Sequence, residues 1–313
     1  MSSQNTDMTS EPSVLAIHSG ALGDCLLFSH LLSALAGEVT LVSRGEVGSL
    51  LSGASVVRHY IDFDALPMQE VFADKPLADC SLRRLLGRHE RLISCFGSGN
   101  VKVERRLAQM CSAQAASFLP VRMSAEIGEH LLHTWANMLG MDRELVTNPS
   151  AWPIPDAWRR SARRIVSTLG ISLNSRYCVL HPGAGSPDKC WPLESYMQLA
   201  DGLFPTVFVL GPAEVDRWPS KDTEKLSAQF RVIICPELET LAGLLSEAQL
   251  FIGNDSGPGH LSAAVGTPTV SLFGPTRAEQ FSPVGRAVRT IAAEDMAEIT
   301  VRQVHEVVAE LIG

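Results

Sequence analysis

Two stretches of this chain carry residue types at the spacing that phosphate and sugar chemistry needs. Residues 250–274 read as strand, turn, helix and strand, with Asn254-Asp255-Ser256-Gly257-Pro258-Gly259-His260 at the turn. A helix opening at Ser256-Gly257 directs unpaired N–H groups and about half a positive charge at whatever precedes it, which favours a phosphate. Gly257 and Gly259 lack Cβ atoms and allow a ligand close to the backbone. Asp255 accepts from hydroxyls, as sugar recognition requires. His260, one turn into the helix, is within reach of a phosphate oxygen. A capped helix with a core-facing histidine explains this turn equally well when it is taken alone. The second stretch, 178–192, repeats the pattern. An apolar strand enters a turn with Gly183 and Gly185, then come Ser186, which offers a hydroxyl, and Lys189, which offers a point charge to a diphosphate. Trp191-Pro192 then lead into a helix whose first turn suits the proline.

Together these stretches resemble the ADP-heptose:lipopolysaccharide heptosyltransferases, glycosyltransferase family 9. The resemblance rests on Asp255-Ser256-Gly257 followed by His260, on the Lys189 turn and, more weakly, on Gly20-Ala-Leu-Gly23-Asp24 near the N-terminus. It implies a GT-B fold, two Rossmann-like doubly wound parallel-sheet domains facing a cleft. The donor side would be Ser186, Lys189, Glu214, Asp255, Ser256, Gly257 and His260. The acceptor side would include Gly23 and Asp24, with Asp24 as general base, Lys189 as the cation on the departing diphosphate, and inversion at the anomeric carbon. Where the family has a basic residue near His18 and a proline near His30, this chain differs, and the differences fall on the acceptor side.

The elements that position these residues follow from the pattern of apolar residues. Val14–Ile17 is a strand running into the Gly20–Asp24 turn, then an apolar helix from Cys25 to about Ala36, and Val39–Val42 is the next strand. This βαβ opening argues for a doubly wound sheet. It has neither the dinucleotide G-x-G-x-x-G nor a Walker A loop. An Asp at such a turn is also a common helix N-cap. Further strands are expected at Ser55–Ile61 and Arg91–Cys95, with helices over Leu77–Gly87, Val101–Ser117 and Ala125–Leu139. Arg83, Arg84, Arg88, Arg91, Lys102, Arg105, Arg106 and Arg122 dot this region as a solvated helix face or, in a sharper reading, a patch for an anionic acceptor. Three prolines within 148–156 suit a linker. Thr206–Leu210 is a strand followed by Glu214, either a ribose ligand or a surface acid favoured by a helix dipole. Thr300 and Gln303 have capping-box spacing and start a last helix. The expected division is a disordered tail over 1–13, an acceptor domain over 14–150, a nucleotide-sugar domain over 151–299, and a helix over 300–313 that crosses back to the first domain.

Composition narrows the classes. The chain has 313 residues, 45% hydrophobic and 19% charged, enough for two domains with sizeable cores. Its net charge of −8 argues against a nucleic-acid partner. Seven scattered cysteines show no zinc spacing and suggest a reducing compartment. The first 13 residues hold no Lys or Arg and do not read as a signal peptide. No apolar run nears the ~20 residues needed to cross a bilayer. No Asp-x-Asp is expected in the chain to hold a divalent cation, so metal independence is expected, with a nucleoside-diphosphate sugar as co-substrate and no cofactor. The expected activity is glycosyl transfer to a lipopolysaccharide or other cell-surface glycan in the cytoplasm, compatible with peripheral contact at the inner membrane. A non-catalytic nucleotide-sugar-binding protein and a GT-B-like sugar-nucleotide epimerase are the alternatives.

Overall fold

A computed structural model describes residues 13–122, 128–172 and 174–313. The tail expected over 1–13 lies outside these except for Ser13, which opens the first strand. The first half contains β1 (Ser13–Ile17), α1 (Leu22–Ser33), β2 (Glu38–Ser43), α2 (Gly45–Gly53) and β3 (His59–Asp62). It continues with α3 (Ser81–Leu86), β4 (Arg91–Ser94), α4 (Val101–Met110), β5 (Ala115–Phe118), α5 (Leu131–Met138) and α6 (Glu144–Thr147). The second half has α7 (Asp156–Thr168), β6 (Cys178–His181), α8 (Leu193–Ala200), β7 (Thr206–Leu210), α9 (Pro212–Arg217), α10 (Ser220–Gln229) and β8 (Arg231–Ile234). Then come α11 (Leu238–Glu247), β9 (Leu250–Asn254), α12 (Gly257–Ala264), β10 (Thr269–Phe273), α13 (Ala278–Phe281), β11 (Val288–Ala292) and α14 (Val301–Ile312).

Each half forms its own parallel sheet. The orders are β3-β2-β1-β4-β5 and, read from the same side, β8-β7-β6-β9-β10-β11. These are the same doubly wound order, with one extra strand in the second sheet. The order reverses between β1 and β4 in the first sheet and between β6 and β9 in the second. Open α/β sheets bind ligands beyond the carboxyl ends of the strands at such a switch point. The turns after β1, β6 and β9 hold the residues singled out above, except Glu214, which follows β7 in α9. Burial explains the strand sequences: every residue of β6, β7, β9 and β10 is buried, so they read as continuous apolar runs.

Helix α1 is buried from Cys25 to Leu32 on all sides, because the first sheet lies beneath it and the second half lies above. One apolar cluster runs across both halves, from Leu26, Leu31 and Trp135 through Trp152 to Leu241, Phe251 and Leu261. Two polar bonds also cross: Ser49 donates to Glu239 at 2.6 Å, and His130 Nε2 donates to the Ser282 carbonyl at 2.9 Å. The chain passes between the sheets through the proline-rich 148–155, where the Trp152 amide donates to the Ala264 carbonyl at 2.9 Å.

Several expectations need correction. The strand expected over Ser55–Ile61 begins only at His59, after left-handed backbone at Ser55 (φ 56°), and the helix expected over Leu77–Gly87 is a short turn, Leu77–Asp79, followed by α3. The helix expected over Val101–Ser117 ends at Met110. Ser112 turns into left-handed backbone (φ 52°), and Ala115–Phe118 becomes the edge strand β5, paired with β4. Helical spacing of Val103, Leu107 and Met110 stops there, and pairing with a neighbouring strand decides the rest. The helix expected over 125–139 is α5, shorter at its start, with 125–127 outside the described residues. The last helix begins with the expected Thr300–Gln303 capping box but does not take the expected route. It packs on α8, β10 and β11 of its own half, because Val304 and Val308 complete the second domain's core.

Candidate active site

The N-termini of α1 and α12 meet across the two halves. A Cβ at Gly23 would stand 2.9 Å from His260 Cδ2, and one at Gly257 would stand 2.8 Å from the Leu22 side chain. The bare backbone at Gly257, read from sequence as room for a ligand, is taken up by the other domain's first helical residue. Asp24 is the third residue of α1, and Ala21 holds the N-cap position. Its carboxylate is therefore not spent on capping. The turn beneath it is braced by His18, whose Nδ1 accepts from the Gly20 amide at 3.1 Å and lies 3.2 Å from Cys25 Sγ.

Asp24, Gly23, Lys189, Asp255, Ser256, Gly257 and His260 all line one cleft of about 500 Å³, with Arg122, Thr276 and Phe281. Lys189 donates to Asp255 Oδ2 at 2.8 Å. The lysine is 30% and the aspartate 10% exposed on their side chains, so the pair faces the cleft and remains reachable. Burial raises the pKa of Asp24 above the ordinary aspartate value. The Asp255 carboxylate adds to that rise, while Lys189 and Arg122 oppose it. Burial lowers the pKa of His260 to about 4, so at neutral pH it is an uncharged ring. A raised carboxylate pKa beside a cation is how a site prepares a base.

A second cavity of about 220 Å³ continues from the cleft, sharing Leu22, Gly185, Ser256 and Gly257 with it. Its lining includes the apolar residues Val209, Pro236, Leu238 and Leu241. Glu214 stands in its wall. It lies in the first turn of α9, as a dipole-favoured acid would, yet it is 3% exposed. Its Oε2 accepts from the Gly211 amide at 2.7 Å, and its Oε1 lies where a side chain at Gly183 would go. Ser186 lies in the turn between Gly185 and Lys189 but lines neither cavity.

The cleft thus lies at the switch points of both sheets, with the Lys189–Asp255 pair on one wall and a second cavity adjoining it. Glycosyltransferase family 9 (heptosyltransferase) matches residues 105–307, well over half of the sequence. The chain belongs to glycosyltransferase family 9. Among curated relatives, it is 34% identical over 148 residues to lipopolysaccharide heptosyltransferase 3 of Escherichia coli, covering 44% of this chain and 42% of that protein. It is 50% identical over 46 residues to lipooligosaccharide heptosyltransferase 2 of Campylobacter jejuni, covering 15% and 14%. The matched stretches thus span less than half the length of these relatives. The fold extends further. A family 9 glycosyltransferase from Veillonella parvula superposes with a TM-score of 0.77 at 18% identity over 96% of this chain and 97% of that one. E. coli ADP-heptose lipopolysaccharide heptosyltransferase II gives 0.71 at 17% identity over 96% and 98%.

Some residues of this family 9 site were missed by the sequence reading. Asn254 is fully buried and staples the two donor turns together. Its Nδ2 donates to the Pro182 and Gly183 carbonyls at 2.8 and 3.2 Å. Its Oδ1 accepts from the Trp191 amide at 3.1 Å and from Tyr196 Oη at 2.9 Å. Sequence suggests only a capping type there. Of the basic residues in 83–122, Arg122 alone lines the cleft. Arg83, Arg84, Arg88, Lys102 and Arg105 are exposed, and Arg106 is spent on the carbonyls of Glu70 and Lys75. An Asp-x-Asp does occur, at Asp62-Phe63-Asp64, outside the donor turns. Asp62 Oδ1 accepts from the Asp64 amide at 3.2 Å, which is a capping bond. Among the described residues no group of three His, Cys, Asp or Glu side chains is placed to hold a metal ion. No helix among them is long and apolar enough to cross a membrane.

Proposed function

We propose that this chain transfers a heptose-like sugar from a nucleoside-diphosphate sugar, ADP-heptose by analogy with its relatives, to a lipopolysaccharide or other cell-surface glycan. The observation that carries the proposal is the convergence of Asp24 from one domain with Lys189, Asp255 and His260 from the other in a single cleft. The nucleoside occupies the apolar cavity, with Glu214 beside the ribose. The diphosphate lies between Lys189 and the amides of Ser256 and Gly257 at the start of α12, where the helix dipole favours negative charge. Asp255 holds Lys189 in place and is positioned to accept from sugar hydroxyls. Ser186 adds a hydroxyl at the rim of the donor turn.

Asp24 removes the proton from the acceptor hydroxyl as its oxygen bonds to the anomeric carbon. The bond from that carbon to the diphosphate oxygen breaks, and its electron pair leaves with the nucleoside diphosphate. Attack from the Asp24 side, opposite the leaving group, inverts the anomeric centre. The growing charge on the diphosphate is met by the Lys189 ammonium and the helix amides, a preorganised set of the kind that supplies the largest catalytic contribution. His260, uncharged, serves as a hydrogen-bonding wall. On this reading the side chains do the work that a divalent cation does elsewhere, and no cofactor is needed. A lipid-linked acceptor would bring the protein to the cytoplasmic face of the inner membrane.

The test is a thermal-shift titration with ADP, UDP, GDP and their sugar conjugates. ADP should stabilise the wild type by mass action, and Lys189→Ala should lose most of that shift. Asp24→Asn should keep nucleotide affinity and lose at least 100-fold in turnover, the usual scale for a positioned base. No shift from any nucleotide at millimolar concentration would refute the proposal. Unchanged turnover in Asp24→Asn would refute the role of the base.

A further inference from the structure

Several histidines are buried in this protein, and two of them, His181 and His260, line cavities. His18 Nε2 and His30 Nδ1 are sealed in the interior without a hydrogen-bond partner. His181 is as deeply buried, at 4% exposure, yet it lines the nucleoside cavity. It is the last residue of β6, at the switch point of the second sheet. Its Nδ1 lies 2.9 Å from the Val209 carbonyl on the neighbouring strand. A carbonyl only accepts, so Nδ1 carries the proton and Nε2 carries a lone pair. Nε2 makes no hydrogen bond among the described residues. Burial holds the ring below the ordinary histidine pKa against the pull of the Glu214 carboxylate, so the ring stays neutral and Nε2 stays an acceptor.

The cavity therefore offers two side-chain acceptors of different kinds. Glu214 has Oε2 committed to the Gly211 amide, which leaves Oε1. His181 offers Nε2. Both line the same cavity as Ala184, Gly185, Ser256 and Gly257. A ribose in this position presents two adjacent hydroxyls, each a donor.

We propose that His181 is a specificity residue for the donor nucleotide, its Nε2 accepting a hydrogen bond from one ribose hydroxyl while Glu214 Oε1 accepts from the other. The inference rests on the nucleotide-binding reading of this cavity. It assigns ribose recognition to a neutral and a charged acceptor together, and it makes a deoxynucleotide a poor ligand at both positions.

The experiment is calorimetric titration of the full chain with ADP, UDP and GDP and with their 2′-deoxy and 3′-deoxy forms. Three proteins are compared: wild type, His181→Asn and His181→Gln. The Asn amide reproduces the Nδ1 donor to Val209 but has nothing at the Nε2 position. The Gln amide places an oxygen near Nε2. Wild type should bind each deoxy form of its preferred nucleotide about 5–10-fold more weakly than the parent, the scale of one hydrogen bond. In His181→Asn the parent nucleotide should weaken by about the same factor, and the penalty for one deoxy form, and only one, should vanish. His181→Gln should retain that penalty in part. A wild type with no penalty for either deoxy form overturns the proposal. So does a folded His181→Asn in which all three ligands weaken equally, because that is the signature of a purely structural histidine. In these cases Lys189-dependent binding of the parent nucleotide would leave the donor site itself intact. If wild type binds no nucleotide at all, the donor reading and the His181 assignment fall together.

Discussion

At the scale of single residues the site depends on how charges share the cleft. In the proposed mechanism Asp24 acts as a base only when ionised, and burial together with Asp255 raises its pKa. Turnover should therefore rise with pH along an acid limb set above the ordinary aspartate range. Arg122 opposes that rise, so Arg122→Ala should move the limb to still higher pH, and Arg122→Lys should leave it near the wild-type position. A kcat profile from pH 4 to 8 measures both; an unmoved limb in Arg122→Ala would detach the arginine from Asp24. The same shift carries a stability effect. A carboxyl with a raised folded pKa favours folding at low pH and loses that contribution as pH rises through the folded pKa. Asp24→Asn should thus raise Tm at pH 7 while removing activity, and the gain should vanish at pH values below the ordinary aspartate pKa. Asp24, Lys189, Asp255, Ser256 and His260 were legible in the sequence because each sits at a strand-to-helix turn, where local chemistry shows directly in residue type. Arg122 was named only as one of eight basic residues in a patch for an anionic acceptor; nothing local set it apart, because it follows the edge strand β5 and reaches the cleft only through the order of strands in the sheet. His181 and Asn254 look like ordinary strand-end residues until their partners on other strands are known.

At the scale of elements, the two glycine-rich turns of the second domain form a single unit held by one amide. Asn254→Ala would leave the Pro182 and Gly183 carbonyls, the Trp191 amide and the Tyr196 hydroxyl without this partner in a buried place. The expected cost is about 2–4 kcal/mol, in the range for breaking a buried hydrogen-bond network. Nucleotide affinity should fall at least tenfold, because the turn that carries Lys189 loses its anchor. Asn254→Asp keeps the acceptor for Trp191 and Tyr196 but loses the donor to the two carbonyls, so a loss of affinity there as well would trace the effect to the 182–183 turn. Calorimetry and thermal melts on both variants decide this. Local signals found the start of the last helix well: Thr300 and Gln303 cap α14. They failed at Ala115–Phe118, whose residues suit a helix but pair with β4. Local propensity is weak beside a neighbouring strand with free backbone groups.

At the scale of the whole molecule, the two halves share an interface in which histidines are kept neutral. Burial lowers His30 to about 3 and His260 to about 4, and His30 is further depressed by His260 and His130. His130 is lowered as well, chiefly by burial, and His133 packs 5.6 Å from its ring. Asp255 is the acid acting on His260, pulling its pKa up, and Lys189 pushes it down. Below the ordinary histidine pKa the unfolded chain takes up protons that the folded protein refuses. Stability present above pH 6.5 should accordingly decline as pH falls toward 4, by up to about 1.4 kcal/mol per pH unit for each such histidine. Melting curves at pH 7, 6 and 5 should show Tm falling well above the carboxylate range. His30→Leu should flatten the slope by one proton's worth, and an identical slope would remove His30 from the account. The abutment of α1 on α12 has another consequence. With Gly23 against His260 and Leu22 against Gly257, the spacing between Asp24 and the Asp255 turn is gauged by backbone meeting side chain, two helix ends that act as mechanical stops. Loops around the cleft are then free to vary in length and charge, and so to suit a different acceptor, without recalibrating the distance over which the sugar travels.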